Sequence, residues 1–446
     1  MQNKLRIMTF ALLFLTMYLP IVAAQAQERD LLELYRLAKI KDPAVIRAAA
    51  RLASGRAEKD IALAALIPRV SANGAVRQFW HKVVDYSPTE MNGEYTGYSY
   101  GVVAGIPILN MPSYYQISAS TAGINSAESG ILIVHQDLII RLVDAYIRCL
   151  KAKVDEKLYR GELNRTAKVL QQTEAFLDAG TVDIVAVYEA KARMDSAAAD
   201  LVKTEGQLRL AQQNLASLTG VEVDSVKDIT VTTFKDPQPV DMKWWLDTMR
   251  QHSPNLLQTR EDLRQSVENR KGASAGHLPT LQGNGGYTVD KGSTFLPKVE
   301  TQQWYVGISI DVPIYSGGET SARTRRALAG ESERRAMLYD VEEQAIKRLK
   351  EAYLNLEYNV SLVEAYRRKF ESAELQLKSM QKACDMGTRT AIELLNSEQS
   401  YAVSRRDLNS ALYDNLQRRL ELKSAAGILD ENDLAELNGE TTLDAG

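Results

Sequence analysis

The sequence predicts a mixed α+β membrane protein in which one unit, consisting of a helix, two β-strands and a long helical region, occurs twice. Three observations predict this fold class. Proline and glycine landmarks recur in the same order in both halves of the chain, four segments alternate apolar with polar residues, and the rest is rich in helix-forming residues.

The N-terminus has the pattern of a secretory signal peptide. Lys4 and Arg6 precede an apolar run over 7–22, and an Ala-Gln-Ala site at 24–26 predicts cleavage before Gln27. A membrane anchor is the alternative, but the apolar run is short and ends at a cleavage pattern. Beyond Gln27 no window reaches the about 18 to 20 uninterrupted apolar residues of a membrane helix, so any crossing would use strands.

The spacing of the landmarks predicts a duplicated chain. Pro68 and Pro279 lie 211 residues apart (279 − 68), and Gly180 and Gly387 lie 207 apart (387 − 180). We therefore predict two structural repeats. The predicted organisation is a signal peptide (1–26), a first repeat (27–220), a linker (221–240), a second repeat (241–430) and an exposed or disordered acidic, polar tail (431–446).

Four segments, about 69–82, 95–107, 280–290 and 301–313, have the period of β-strands. The last is the clearest, because the residues from Trp304 to Val312 are apolar at every second position and small or polar between. A sheet on a water-soluble core gives the same alternation. Lengths of roughly 10 to 13 residues and aromatic residues near the ends favour strands in a bilayer. The predicted lipid-facing side chains are Trp80, Tyr98, Val102, Trp304, Ile308 and Val312.

Four strands cannot close a barrel, and an open sheet edge in lipid would leave backbone groups unpaired. Several chains must therefore contribute strands. Two chains would give eight strands and a lumen filled by side chains, whereas three would give twelve strands and the beginning of a channel.

The helical regions have the pattern of coiled coils. Val187, Leu201 and Leu215 belong to a seven-residue repeat, and mostly small residues follow three positions later. The second repeat keeps this pattern except at Asn415. A coiled coil in water fits equally well, so a soluble periplasmic adaptor or scaffold protein is the alternative function.

Other function classes receive little support. The formal net charge is −3 and acidic and basic residues are interspersed, which argues against a nucleic-acid partner. The four histidines, His81, His135, His252 and His277, show no metal-ligand spacing, and no catalytic motif is present. We predict no enzyme activity, no cofactor and no metal site.

Three stretches stand out beside the duplicated landmarks: DVPIYSGGET, which follows the last strand, and the glycine-centred AGTVDIVAVYEAKARM and DMGTRTAIELLNSEQSY. Together with the landmarks, they resemble the TolC-like outer membrane efflux protein family. The resemblance covers essentially the whole mature chain. It implies a homotrimer whose twelve-stranded barrel, embedded in outer membrane lipid, continues into a periplasmic helical tunnel. It also implies a passive exit duct of a tripartite efflux pump or type I secretion system, fed by an RND, ABC or MFS inner-membrane transporter through a periplasmic adaptor. The sequence does not identify the cargo.

The resemblance also assigns site residues. The two glycine motifs would form the periplasmic tips of helical hairpins, where adaptors dock and where the tunnel closes. The docking residues are Gly180, Thr181, Gly387 and Thr388, and the gate residues are Arg389, Glu393, Asn396 and Asp183. Three Glu393 carboxylates around one axis would attract cations and raise one another's pKa.

The chain departs from the family at the gate. The family's tyrosine three residues before the second glycine is Cys384 here, and the aspartate six residues after the first glycine is Ala186. Our hypothesis is that Asp183 replaces that aspartate as the partner of Arg389. Because Cys149 would lie roughly 45 Å along its helix from the tip, it cannot reach Cys384, and we predict two free thiols.

Overall fold

The computed structural model describes residues 30–81, 93–229, 237–292 and 299–439. The predicted signal peptide lies outside the described residues, as do most of the two segments that join the strands within each pair. The elements are α1 (Leu31–Lys41), α2 (Pro43–Ala64), β1 (Arg69–His81), β2 (Gly93–Leu109), α3 (Met111–Asp178), α4 (Ile184–Thr219), α5 (Met242–His252), α6 (Pro254–Ser274), β3 (Thr280–Lys291), β4 (Glu300–Asp311), α7 (Glu319–Asp385), α8 (Ala391–Ala426) and α9 (Glu431–Gly439).

The element order repeats, as predicted. Each repeat has two short helices, a strand pair, a very long helix and a 36-residue helix. The long helices α3 and α7 have 68 and 67 residues, which corresponds to about 100 Å at ~1.5 Å per residue. The predicted interruption near each glycine is confirmed. The exact bounds of the two repeats stay a prediction.

Side chains at the helix starts explain where the first helices begin. The Asp30 carboxylate accepts a hydrogen bond from the N–H of Leu32 at 2.6 Å and so caps α1. Asp42 caps α2 in the same way, accepting from the N–H of Ala44 at 2.7 Å, and Pro43 occupies the first helical position. Asp42 therefore ends α1 and begins α2, which separates the two helices.

The four strands form one antiparallel sheet in the order β1-β2-β3-β4. In the described chain, β1 and β4 each pair with a single strand, so both are edge strands. The predicted strand positions are confirmed to within a few residues, although β2 extends at both ends to 17 residues. The sheet is continued on its helical side by α3 and α7.

The buried core lies where the helices of the two repeats meet the connecting segments. One cluster packs α1, α3, α4 and α8 around Val223, Val226, Ile229 and α9, and a second packs α5, α6, α7 and α8. Two tyrosines at equivalent positions (353 − 146 = 207) hold the two ends of the segment that joins the repeats. Tyr146 donates to the carbonyl of Lys227 at 2.6 Å, and Tyr353 donates to the carbonyl of Val240 at 2.7 Å.

The prediction of an exposed or disordered tail is wrong for residues 431–439. This segment forms α9, and its Leu434 and Leu437 belong to the first core cluster. Lys423 of α8 forms an ion pair with Asp433, which anchors the helix further. The acidic composition suggested an exposed tail, but the two leucines are spaced three residues apart and therefore lie on one face of a helix. Residues 440–446 lie outside the described part.

Among the described helices, none combines the length and the apolar composition that a bilayer crossing requires.

Candidate functional sites: the sheet faces and the hairpin tips

The strand register collects the apolar residues on one face of the sheet. Directly paired residues lie on the same face, and Ala72 pairs with Val102, Val102 with Tyr287, and Tyr287 with Trp304. Trp304 is 80% exposed and packs against Tyr287, with ring centroids 4.5 Å apart. We call this face, which also carries Val70, Val76, Ile106, Val306, Ile308 and Ile310, the outward face.

Five of the six side chains predicted to contact lipid lie on the outward face. They are Trp80, Tyr98, Val102, Trp304 and Ile308. Tyr98 is partly buried, whereas the other four are exposed. The sixth, Val312, follows the last residue of β4 and is also exposed. The register therefore confirms that the predicted apolar side chains lie on one face. Their contact with lipid stays a prediction.

The opposite face of the sheet is polar, as the alternation predicted. Asn73 pairs with Gly101, which pairs with Thr288, which pairs with Gln303. Two rows interrupt this face: Phe79 and Tyr95 stack with centroids 4.9 Å apart, and Val103 and Tyr305 lie in one row on either side of Gly286. A sheet with one apolar and one polar face separates an apolar medium from water.

Both hairpin tips turn at a glycine in the left-handed region. Gly180 follows α3 with φ +71° and Gly387 follows α7 with φ +72°. A side chain at either position would be strained, because the Cβ of an L-residue crowds the backbone at positive φ. The two predicted tip glycines thus end their helices by the same mechanism.

The threonines after these glycines close the turns identically. Thr181 uses both its N–H and its hydroxyl to reach the carbonyl oxygen of Phe176, each at 2.9 Å. Thr388 makes the same two bonds to Ala383, again at 2.9 Å. All four predicted docking residues are exposed. The two tips therefore present nearly equivalent, preformed surfaces.

The next positions differ between the tips. Asp183 caps α4, with Oδ1 accepting from the N–H of Ala186 at 3.1 Å. At the equivalent place (390 − 183 = 207) Thr390 caps α8, and Glu393 completes a capping box by accepting from the N–H of Thr390 at 2.9 Å. Sequence reasoning missed the cap role of Thr390, although the T-x-x-E pattern signals it.

The structure brings together two of the four predicted gate residues. Arg389 donates to Glu393 Oε1 at 2.7 Å, one turn along the same chain. The pKa of Glu393 lies below its ordinary value, first because of the hydrogen bond from the Thr390 backbone and then because of Arg389. Asp183 does not contact Arg389 within the described chain, and Asn396 is exposed. The proposed raising of the Glu393 pKa concerns three chains and stays a prediction.

The two cysteines are free, as predicted. Cys384 lies beneath the second tip, where its thiol donates to the carbonyl of Thr390 at 3.2 Å. Cys149 is fully buried in α3, and burial raises the pKa of its thiol to about 11. Among the described residues no group of three or more His, Cys, Asp or Glu side chains is arranged to hold a metal ion.

Known proteins resemble the chain along nearly its whole length. It is 25% identical over 431 residues to the outer membrane protein TolC of Vibrio cholerae, covering 96% of this chain and 97% of the relative. It is also 25% identical over 435 residues to the proteases secretion protein PrtF of Dickeya chrysanthemi, covering 95% and 93%. The CmeC outer membrane channel of Campylobacter jejuni shares the fold with a TM-score of 0.78 at 15% identity, covering 94% and 91%.

The comparisons confirm the predicted fold class, the outer membrane location and the function as an exit duct. They do not favour the alternative of a soluble periplasmic adaptor or scaffold. The structural neighbour CmeC is an outer membrane channel. The model of the outer membrane efflux protein family matches residues 34–221 and 245–428, most of both repeats. The chain therefore belongs to the outer membrane efflux protein family.

Proposed function

We propose that three copies of this chain close a twelve-stranded barrel and conduct cargo passively from an inner-membrane transporter to the cell exterior. The single observation that carries this proposal is the four-stranded sheet with an exposed apolar face and two edge strands. In lipid an unpaired strand edge costs several kcal/mol per backbone group, so β1 of one chain must pair with β4 of a neighbour.

The polar face supports a water-filled passage rather than a filled core. Small and hydrogen-bonding side chains such as Ser71, Ser99 and Ser309 share this face with glycines such as Gly101 and Gly307. Eight strands from two chains would close around side chains alone, whereas twelve strands begin to leave a channel. Conduction through such a lumen needs no catalytic group. The transporter, of the RND, ABC or MFS class, and its periplasmic adaptor supply energy and selection.

The assembly can be tested with the purified full chain in detergent. Light scattering of the protein–detergent complex is expected to give three chains per particle, and planar bilayers are expected to show stepwise conductance. A particle with a single chain that needs no detergent would contradict the proposal. Introducing Cys at an edge position of β1 and of β4 should crosslink chains only between neighbours, and Cys pairs on β1 and β3 serve as the control.

We also propose that the two hairpin tips dock the adaptor and that Arg389 and Glu393 form the constriction. Support comes from the preformed, exposed turns and from the ion pair between Arg389 and Glu393 at 2.7 Å. Replacing Thr181 and Thr388 by Val removes the hydroxyl bonds and should weaken co-purification of the adaptor. The surface pair Ser217→Ala and Ser361→Ala, far from the tips, is the matched control.

Glu393→Gln tests the electrostatic part of this gate. The variant removes one carboxylate per chain and is expected to lower cation selectivity and block by divalent ions in planar bilayers. Thr390→Ala is the control, because it weakens the same capping box without changing charge. Equal selectivity in all three proteins would exclude Glu393 from the constriction. Asp183→Ala with unchanged closed-state conductance would end the hypothesis that Asp183 is an inter-chain partner of Arg389.

A further inference from the structure

Two aromatic rings on the polar face of the sheet occupy the space above glycines of the neighbouring strand. In the inner pair, the Tyr305 ring of β4 lies over Gly286 of β3, its direct partner. A Cβ on Gly286 would lie 3.1 Å from both Cε1 and the hydroxyl oxygen of Tyr305. In the outer pair, the Phe79 ring of β1 lies over Gly97 of β2, where a Cβ would lie 2.9 Å from Cε2 of the ring. Each ring has this space only because the glycine beneath it has no side chain.

The contact in the inner pair defines the orientation of the Tyr305 side chain. Its hydroxyl is the atom farthest from its own backbone, and directly paired residues of an antiparallel ladder have Cα atoms about 4.5–5.5 Å apart. Because this hydroxyl lies so close to the Cβ site of Gly286, the side chain leans across the neighbouring strand instead of standing upright on the sheet. Tyr305 remains 37% exposed. The ring therefore covers the glycine with one side and leaves its other side open.

Phe79 leans in the same way, toward a diagonal neighbour. Its direct partner is Tyr95, on which it stacks with centroids 4.9 Å apart, and Gly97 is the next residue of β2 on the same face. Diagonal neighbours lie about 7–8 Å apart, which is within reach of an aromatic side chain. Gly97 is buried. The Phe79 ring thus covers the backbone of β2 at this point.

The first repeat lacks both members of the inner pair together. The counterparts of Gly286 and Tyr305 are Ala75 and Ser99 (286 − 75 = 211 and 305 − 99 = 206), at the offsets of the proline landmarks before β1 and at the end of β2. Ala75 and Ser99 pair directly, as Gly286 and Tyr305 do. Ala75 has a Cβ, and Ser99 is too short to reach across the neighbouring strand. The strand therefore has a side chain at this place where no ring covers it.

The second repeat likewise lacks both members of the outer pair. The counterparts of Phe79 and Gly97 are Asp290 and Gln303 (290 − 79 = 211 and 303 − 97 = 206), of which neither is aromatic or glycine. At the eight positions of these two comparisons, glycine occurs only beneath a ring. A glycine weakens a strand because it has no side chain to pack, and a ring that covers it compensates for this loss. Ring and glycine thus occur as a unit.

We propose that Gly97 and Gly286 determine the bore of the lumen, because they allow the Phe79 and Tyr305 rings to lie along its wall. This inference rests on the proposed function, in which the polar face lines the lumen. A side chain at either glycine would turn the ring above it away from the wall and into the passage. In a closed trimer three rings would project at each of the two levels and obstruct bulky cargo. Gly97 and Gly286 are positioning residues, since they act on the passage through the rings.

The inner pair allows the effect of the ring to be separated from strain in the sheet. A Cβ on Gly286 would also lie 2.9 Å from the carbonyl oxygen of Val102, so Gly286→Ala strains the backbone whether or not the ring is present. Tyr305→Ala in the same protein removes only the ring. Gly105→Ala is the matched control on the polar face, because its Cβ would have its nearest neighbour, the Gly283 carbonyl oxygen, at 4.0 Å.

Thiol labelling from outside intact cells measures the passage. In a Cys149→Ala/Cys384→Ser background of the full chain, the reporters are Thr301→Cys and Ser309→Cys. Both lie on the polar face of β4, four residues to either side of Tyr305 (305 − 301 and 309 − 305). With the helices in the periplasm, a reagent from the exterior meets the Thr301→Cys reporter before the ring and the Ser309→Cys reporter after it. Maleimide–polyethylene glycols of increasing size define the largest reagent that reaches each reporter.

The expected result is a loss of labelling behind the ring alone. In Gly286→Ala, the largest reagent that labels the Ser309→Cys reporter beside the native glycine should no longer do so, while the Thr301→Cys reporter stays labelled. Gly286→Ala/Tyr305→Ala should regain the labelling, and Gly105→Ala should not lose it.

Unchanged labelling in Gly286→Ala would overturn the inference, as would a loss that persists in Gly286→Ala/Tyr305→Ala or also occurs in Gly105→Ala. Tyr305→Ala alone tests the inference with the glycine intact: if it admits a larger reagent to the Ser309→Cys reporter, the native ring already projects into the passage and the inference is wrong. An Ile308→Cys reporter on the outward face tests the proposed function separately. Labelling of this reporter without labelling of Ser309→Cys would contradict the lumen itself, whatever the glycine variants show.

Discussion

The buried asparagine pair between α7 and α8 allows a quantitative test of how the second hairpin is held in register. Asn415 is fully buried and donates to Asn359 Oδ1 at 2.9 Å, and Asn359 donates to the carbonyl of Ala411 at 3.4 Å. At the equivalent places in the first repeat the chain has Ala152 and Leu208 (359 − 152 and 415 − 208 are both 207). The first repeat therefore has two apolar residues at the positions where the second repeat has this asparagine pair.

Removing one partner should cost more than removing both. Asn359→Ala leaves the Asn415 amide buried without its partner, and a stranded buried polar group costs about 1–3 kcal/mol. The double variant Asn359→Ala/Asn415→Leu copies the first repeat and leaves no polar group behind, so its stability should equal or exceed that of the native hairpin. A buried Asn in a coiled coil fixes register at some cost in stability, which explains why the double variant can gain stability and lose specificity.

Hydrogen exchange in detergent measures this difference locally. Because 1.4 kcal/mol is a factor of ten, Asn359→Ala should accelerate exchange of α8 amides near Asn415 by about 5- to 150-fold. The double variant should exchange no faster than the native protein, and peptides around Leu208 in the unaltered first hairpin serve as the internal control. If the double variant exchanges as fast as Asn359→Ala, the loss comes from packing and the hydrogen-bond reasoning is refuted.

Three further outcomes follow from the described contacts. Hydrogen bonds from two arginines, Arg270 first, lower the pKa of Glu331. The ionised carboxylate therefore stabilises the fold above about pH 4.5, and this stabilisation is lost as the pH falls through the lowered pKa. In Glu331→Gln the melting temperature should depend less on pH below 4.5, and an unchanged slope would contradict this. Maleimide at neutral pH should modify Cys384 but not Cys149 in the native channel, as mass spectrometry would show, because Cys149 is buried with a pKa of about 11. Leu434→Ala should destabilise α9 by about 2–5 kcal/mol, measured by its amide exchange, and exchange unchanged from the native helix would mean that α9 is not held by the core.

Patterns that depend on local period predicted the structure well. The alternation on the outward face determined the position of all four strands. It is sensitive to position because a shift of one residue would move every side chain to the other face. The seven-residue repeat likewise placed the small side chains Ala190, Ala197 and Ala211 in the buried seam of α4. The turn glycines were identified because few residues other than glycine adopt positive φ without strain.

Contacts between distant segments could not be predicted in the same way. Asn415 was visible as an interruption of its repeat, but nothing in the sequence identified Asn359 as its partner 56 residues away. The pairing of Arg389 with Glu393 follows from i,i+4 spacing, yet the family pattern directed attention to Asp183 instead. The registers of the three strand pairs are likewise not contained in the alternation of single strands.

The two long helices differ in how much of their surface is buried within one chain. The helices α3 and α7 have almost equal length, but sixteen side chains are buried in α3 and seven in α7. Large apolar side chains such as Leu354 and Tyr358 remain exposed along α7, at 58% and 67%. An exposed apolar stripe on a helix with few buried neighbours is a surface for other copies of the chain. In the proposed trimer we expect α7 and α8 to contact the neighbouring chains, and the proposed gate residues Arg389 and Glu393 lie at the tip that joins these two helices.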